Sequence, residues 1–205
     1  MIVIIDYGAG NLFSILKALN YLNVKALVSS NPKDWEKGRA LIFPGQGNFS
    51  QAIDYLRKNN KIDILKELIK TKPFLGICLG MQILFEESEE AIGKRGLSIL
   101  SGKVLKLKNK KLPHLGWNQV NIKKDSILFK NIPDNSFFYF VHSFYVDVKE
   151  KDIITGETYY GEVFPSVIEK NSIFGVQFHP EKSSFWGLEV LKNFLEYAYD
   201  NSSSY

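Results

Sequence analysis

Cysteine is almost absent from this chain: one thiol, Cys78, stands among 205 residues. A single thiol closes no internal disulfide, which excludes the small secreted scaffolds that rely on such staples. Histidine is nearly as scarce. His114, His142 and His179 are dispersed and show no paired-ligand spacing with the cysteine, so a zinc site has little support, and no metal or other cofactor is expected. Long apolar runs are also missing. None approaches the ~20 residues that cross a bilayer, and the N-terminal run MIVII is too short, and lacks the basic leader, of a signal peptide. Neither sign of charge dominates: 26 lysines and arginines face 22 aspartates and glutamates, the net charge is +4, and the lysines are scattered. That balance is too weak to argue for a nucleic-acid surface. A soluble cytoplasmic protein, away from membranes and nucleic acid, is the expectation.

What is present is enough apolar residue, 45% of the chain, to bury a full core without help. One α/β domain is expected over residues 1–200, with NSSSY as a frayed tail. MIVII is a strand followed by the turn signal DYGAG, and Leu12, Ile15, Leu16, Leu19 and Leu22 then recur at helical spacing. VKALVSS, ALIFPG and PFLGI read as further strands, with helices at 49–57 and 62–70. Strands alternating with helices imply a mostly parallel central sheet flanked by helices. After Glu90 the texture changes to short aromatic and β-branched runs (GKVLKLK, LGWNQVNI, FFYFVHSFYVDV, TGETYYGE, VFPSVIE, SIFGVQF), which predict an antiparallel extension of the sheet. Residues 185–199 carry the period of a closing amphipathic helix.

The cysteine sits in Gly76-Ile77-Cys78-Leu79-Gly80, after one of these strands and before a helix-like run. Small residues two positions either side of a nucleophile permit a sharp, strained strand-to-helix bend that presents the central side chain. The first N–H groups of the helix can then stabilise an oxyanion. The competing reading is a small buried apolar residue, which is what most free cysteines are. A general base would separate the two. His179 follows the apolar strand SIFGVQF and precedes Pro180-Glu181, so its imidazole could take the thiol proton while Glu181 orients the ring. His142 reads as a satisfied strand histidine, and His114 as a loop or strand-edge residue. Gly8-Ala9-Gly10-Asn11 also opens a helix, but Phe13 stands where a dinucleotide fingerprint has its third glycine, so it reads as a tight turn.

LGICLGMQ together with the distant GVQFHPE resembles the class I glutamine amidotransferases, in which Cys, His and Glu hydrolyse the side-chain amide of glutamine. Within that class DYGAGN, CLGMQILFEESEE, PHLGWN, YFVHSFY and GVQFHPEKS are similar to the glutaminase subunits of imidazole glycerol phosphate synthase, over nearly the whole chain. The resemblance implies the three-layer fold of that class, with L-glutamine as substrate. It also implies a heterodimer with a (β/α)8 cyclase subunit, which receives the ammonia and forms imidazole glycerol phosphate and aminoimidazole carboxamide ribotide. A glutaminase feeding an enzyme that amidates surface-polysaccharide sugars is the alternative. Carried over position by position, Cys78 is the nucleophile, His179 the base and Glu181 its support. Backbone N–H groups of Leu79 and Gln46 form the oxyanion hole, and Gly45, Gly47, Gln82, Glu90 and Ser143 bind substrate. Asn11, Trp117, Tyr139 and Lys182 contact the partner. Asn11 has a second reading as a helix cap, and Trp117 and Tyr139 as core aromatics. The family usually has valine where this chain has Gln46, which bears on the resting geometry of the oxyanion hole.

Overall fold

The computed structural model describes residues 1–10, 12–109 and 111–200. In chain order the elements are β1 (Ile2–Ile5), α1 (Leu12–Tyr21), β2 (Ala26–Ser29), α2 (Pro32–Lys37), β3 (Ala40–Phe43), α3 (Phe49–Lys58), α4 (Ile62–Thr71), β4 (Phe74–Ile77) and α5 (Leu79–Gln82). They continue with β5 (Glu87–Ser88), β6 (Gly102–Lys106), β7 (His114–Ile122), β8 (Ser136–His142), β9 (Phe144–Val148), β10 (Ile154–Tyr159), β11 (Val163–Lys170), β12 (Ile173–Val176) and α6 (Ser184–Asp200). Among the described residues no helix is long and apolar enough to cross a membrane.

One sheet of nine strands runs β2-β1-β3-β4-β12-β11-β10-β7-β8, and a second of three runs β5-β6-β9. The first five strands of the large sheet are parallel, and the remaining four extend it antiparallel. The strand SIFGVQF, grouped with the antiparallel runs by its texture, joins the two halves. As β12 it pairs parallel with β4 and antiparallel with β11.

The continuous apolar runs of β1 and β3 are buried on both faces, as a covered parallel sheet requires. Alternation then divides each strand. Val3, Ile5, Leu41 and Phe43 pack with Trp35 of α2, Leu56 of α3 and Leu65 of α4. Ile2, Ile4, Ala40 and Ile42 face the other way, onto Ile15 and Leu19 of α1 and Val190, Leu191 and Phe194 of α6. Helix, sheet and helix therefore form the expected three layers. Each such buried branched or aromatic side chain contributes roughly 1.5–3 kcal/mol of transfer free energy.

Two elements differ from the pattern in the sequence. α2 escapes the periodicity because it is short and buries only Trp35; its signal is Asn31-Pro32, where the Asn31 side chain caps Lys33 N–H and proline occupies the first turn. FFYFVHSFYVDV is two strands rather than one. It breaks at Ser143, with β8 at the edge of the large sheet and β9 in the small one.

Candidate active site

Strand order collects three loops at one edge. β3, β4 and β12 are parallel neighbours, so the segments that leave their carboxyl ends converge: Pro44 to Gly47, Cys78 to Gln82, and Gln177 to Glu181. Register does the finer placement. Ile77 pairs with Val176, and Cys78 N–H donates to Val176 O at 2.6 Å, so the thiol stands beside Gln177.

Cys78 has a φ of +48°, a left-handed conformation that costs a residue with a Cβ roughly 1–3 kcal/mol. Its flanking glycines let the bend close. A Cβ on Gly76 would stand 2.4 Å from Gly80 O, and one on Gly80 would stand 2.3 Å from Phe43 O. The strained bend matches the expectation from the sequence, but the helix after it is shorter than LGMQILFE suggests. α5 ends at Gln82 because the carbonyls of Ile83, Leu84 and Phe85 accept from Leu97, Ile99 and Ser98 instead of continuing a helical ladder. Leu79 opens α5, so its N–H has no intrahelical acceptor.

His179 Nδ1 lies 2.8 Å from Glu181 Oε1, and only 1% and 6% of the two side chains is exposed. Around them His179 N–H donates to Tyr139 O, Ser183 Oγ–H donates to His179 O, and Tyr139 N–H donates to Ser183 Oγ. That clamp ties the histidine to β8. With Nδ1 engaged by the carboxylate, the group left for chemistry is Nε2, which is buried and has no hydrogen-bond partner among the described residues; Glu181 Oε2 is in the same position. Unsatisfied buried polar atoms are uncommon and call for an explanation. Burial opposes a charge on this ring. The Cys78 sulfur and the Glu181 carboxylate outweigh it and push the His179 pKa up to about 10.

Gly45 packs close against both Cys78 and the imidazole. A Cβ there would meet His179 Cε1 at 2.8 Å, Ile77 O at 2.8 Å and Cys78 Cβ at 2.9 Å. Its need for glycine is close packing, whereas Gly47 has a φ of +106° and needs glycine for its backbone.

These groups open into a cleft of about 380 Å³. Gly45, Gln46, Gly47, Cys78, Leu79, Gln82, Glu90, Ser143, His179 and Lys182 all line it, with Pro113, Val141, His142 and Phe144. Glu181 stands behind His179, and Asn11 lies outside the described residues. Glu90 Oε2 accepts from Phe49 N–H at 2.8 Å, holding the start of α3 against the cleft. Gln82 donates from Nε2 to Phe144 O at 2.9 Å and to Gln177 Oε1 at 3.3 Å, which uses both amide protons and leaves Oε1 as an acceptor. Among the described residues no three His, Cys, Asp or Glu side chains gather as a metal site.

Trp117 and Tyr139 correct one reading. They are cross-strand neighbours on β7 and β8 with ring centroids 6.1 Å apart, but the tryptophan is 52% exposed and is not a core residue. Leu115 and Phe137, on the same outward face, are also more than half exposed. Of the two readings of His114, loop or strand edge, the structure takes the second. His114 begins β7, is buried, stacks on Phe140 and Tyr160, and its Nδ1 lies 3.0 Å from His142 Nε2. Burial lowers the pKa of His114 to about 4 and that of His142 to about 3.

Opposite signs of pH dependence follow. For His114 and His142 the unfolded chain holds the extra proton, so the stability they carry is complete above about pH 6.5 and is lost as the pH falls through 4 toward 3. For His179 the folded chain holds it; that contribution is complete below about pH 6.5 and is lost as the pH rises through 10. In a proton NMR titration from about pH 5 to 8, none of the three imidazoles is expected to show a midpoint near the unperturbed value of about 6.5. A midpoint there for His142 would contradict its buried neutral state.

Gln177 belongs to the site as well, although the sequence motifs do not single it out. It is fully buried, and its Nε2 donates to Cys78 Sγ at 3.3 Å. The signal available is its spacing: two residues before His179 in an extended run, it shares that residue's face.

The chain is similar to known proteins along nearly its whole length. The family model described as glutamine amidotransferase class-I matches residues 3–197. The protein named imidazole glycerol phosphate synthase subunit HisH from Methanocaldococcus jannaschii is 52% identical over 197 residues, covering 96% of this chain and 99% of that protein. The proteins of the same name from Pyrococcus furiosus and Chlorobaculum tepidum are 50% and 47% identical, with 94% and 96% of this chain covered and 97% and 100% of theirs. A crystal structure described as a glutamine amidotransferase superposes with a TM-score of 0.76 at 17% identity, over 96% of this chain and 98% of that one. A glutamine amidotransferase from Thermotoga maritima gives 0.65 at 18%, over 97% and 82%. At those identities the two structures speak to the fold alone.

Proposed function

This chain belongs to the class I glutamine amidotransferases, and on that premise we propose that it is the glutaminase subunit of an imidazole glycerol phosphate synthase, working in the cytoplasm as a heterodimer with a (β/α)8 cyclase. The observation that carries the reading is the state of His179: one ring nitrogen is held by Glu181, and the other is buried, without a hydrogen-bond partner among the described residues, and beside the only thiol in the chain. Glutamine enters the cleft with its carboxamide over Cys78, meeting Gln82 Oε1, Ser143 and the Gly45 to Gly47 loop, with Glu90 toward its amino group. The sulfur attacks the carboxamide carbon, and the oxyanion that forms is bound by backbone N–H groups of Leu79 and Gln46. As the tetrahedral adduct collapses, the carbon–nitrogen bond breaks and His179 Nε2 gives its proton to the departing ammonia. Water, deprotonated by His179, then cleaves the γ-glutamyl thioester to glutamate and restores the thiol.

The partner reading is supported by the names of the relatives at 44–52% identity and by the apolar face of Leu115, Trp117, Phe137 and Tyr139, which has no core role. Lys182 lines the cleft one residue beyond Glu181, where a partner covering its mouth would meet it. The same names favour the cyclase, which would form imidazole glycerol phosphate and aminoimidazole carboxamide ribotide in histidine biosynthesis, over a sugar-amidating partner.

The test is glutamate release by the chain alone and with a purified (β/α)8 cyclase plus the ligand of that cyclase. Slow release alone and strong stimulation in the complex are expected; full activity without any partner overturns the dependence of this subunit on its partner. Trp117→Ala should leave the fold and the basal rate intact, because the side chain is half exposed, yet weaken the complex by roughly 2 kcal/mol or more, about thirtyfold in affinity. Titration of the variant with the cyclase, by calorimetry, checks this.

A further inference from the structure

We propose that Gln177 is a further catalytic residue, whose Nε2–H group holds the Cys78 sulfur as a hydrogen-bond acceptor and so favours the thiolate that attacks. The contact itself is 3.3 Å long and fully buried, and it joins residues 99 positions apart. Its direction is what matters, because an amide could in principle turn either end toward the sulfur.

Two contacts remove that freedom. Phe144 O can only accept, so the end of Gln82 that lies 2.9 Å from it is Nε2. That nitrogen can only donate, so the end of Gln177 that lies 3.3 Å from it is Oε1. The opposite end of Gln177, facing Cys78 Sγ, is therefore Nε2, and the sulfur must accept. Phe144 O is also engaged by His142 Nδ1 at 2.9 Å. Neutral His142 then accepts on Nε2 from His114 Nδ1–H, and His114 Nε2 accepts from Asn118 Nδ2, which also donates to Tyr159 O. Every member of the chain from Asn118 to Phe144 thus has one consistent orientation, and the polarity delivered to the thiol is set by a backbone carbonyl. A thiol hydrogen has no acceptor in Gln177, whereas a thiolate gains a donor. Hydrogen bonds to charged groups are stronger than those to neutral ones, so the contact stabilises the thiolate more than the thiol.

The kinetic part of this proposal rests on the glutaminase reading; the reactivity of the thiol does not. Cys78 is the only thiol, so alkylation by iodoacetamide reports on it alone. Gln177→Met keeps the length and removes the donor, and Gln177→Glu keeps the shape and offers only acceptors. Alkylation at neutral pH should slow about ten- to a hundredfold in Gln177→Met, and by at least as much in Gln177→Glu. In the complex with the cyclase, kcat for glutamine should fall about ten- to a hundredfold with KM little changed. Wild-type alkylation rates in folded variants overturn the proposal even if kcat falls, because Gln177 would then act on packing. Should one variant fail to fold, the other decides. A chain that releases no glutamate with any partner, while alkylation is still slowed in the variants, would instead refute the glutaminase reading and leave this one standing.

Discussion

Cys78→Ala is expected to lower glutamine hydrolysis by about 10⁴-fold or more, since removing the serine nucleophile of a comparable covalent mechanism costs about 10⁶-fold in kcat. The fold should survive. Alanine keeps the Cβ, so the left-handed backbone at this position carries no strain beyond what cysteine already bears. One sulfur is lost from a site already open to the cleft, which should change stability by no more than about 1 kcal/mol. His179 will notice. Without the facing sulfur only Glu181 opposes the burial of its charge, so its pKa should fall from about 10. Glutamate release measured beside the His179 NMR titration checks both consequences in one protein. A variant retaining even a tenth of the activity would remove Cys78 from the mechanism.

Gly45→Ala is expected to be nearly as damaging, although it touches no group that reacts. The added methyl would come within 3 Å of His179 Cε1, Cys78 Cβ and Ile77 O at once. Real side chains do not tolerate such contacts, and Ile77 O belongs to the central strand β4, so it has little room to move. The side chains must give instead, and the ones available are the thiol and the imidazole. A displacement of about 1 Å between reacting groups costs about a hundredfold in rate, and overpacking adds about 1–3 kcal/mol of destabilisation. We expect kcat/KM to drop at least a hundredfold, with a melting temperature lowered but a transition still cooperative. Near-normal activity in Gly45→Ala would mean that His179 and Cys78 do not work across this glycine.

How legible each feature is in the sequence depends on how local it is. The bend at Cys78 and the pairing of His179 with Glu181 follow from short-range covalent geometry, so their motifs carry them. The buried strands β1, β3 and β4 are legible for the same kind of reason: an unbroken apolar run has few other uses. Relations across the sheet are not legible. That Gln177 touches Cys78 depends on Ile77 pairing with Val176 rather than with a neighbour, and one residue of slip would turn Gln177 away. The Pro44 to Gly47 motif marks Gly45 as part of an oxyanion loop, but its role as a spacer needs three chain segments in place at once. The exposure of Trp117 is opaque as well. An aromatic residue in an alternating strand faces either core or solvent, and only the packing of β7 and β8 at the sheet edge decides which.

The mechanism stands or falls on whether glutamine is bound and attacked at Cys78. The most direct measurement is the intact mass of the chain after exposure to an electrophilic glutamine analogue, with and without excess glutamine, in wild type and Cys78→Ala. The expected result is one adduct per chain, mapped to the peptide containing Cys78, slowed by glutamine and absent from the variant. An adduct elsewhere, or none in a chain that releases glutamate, would contradict it.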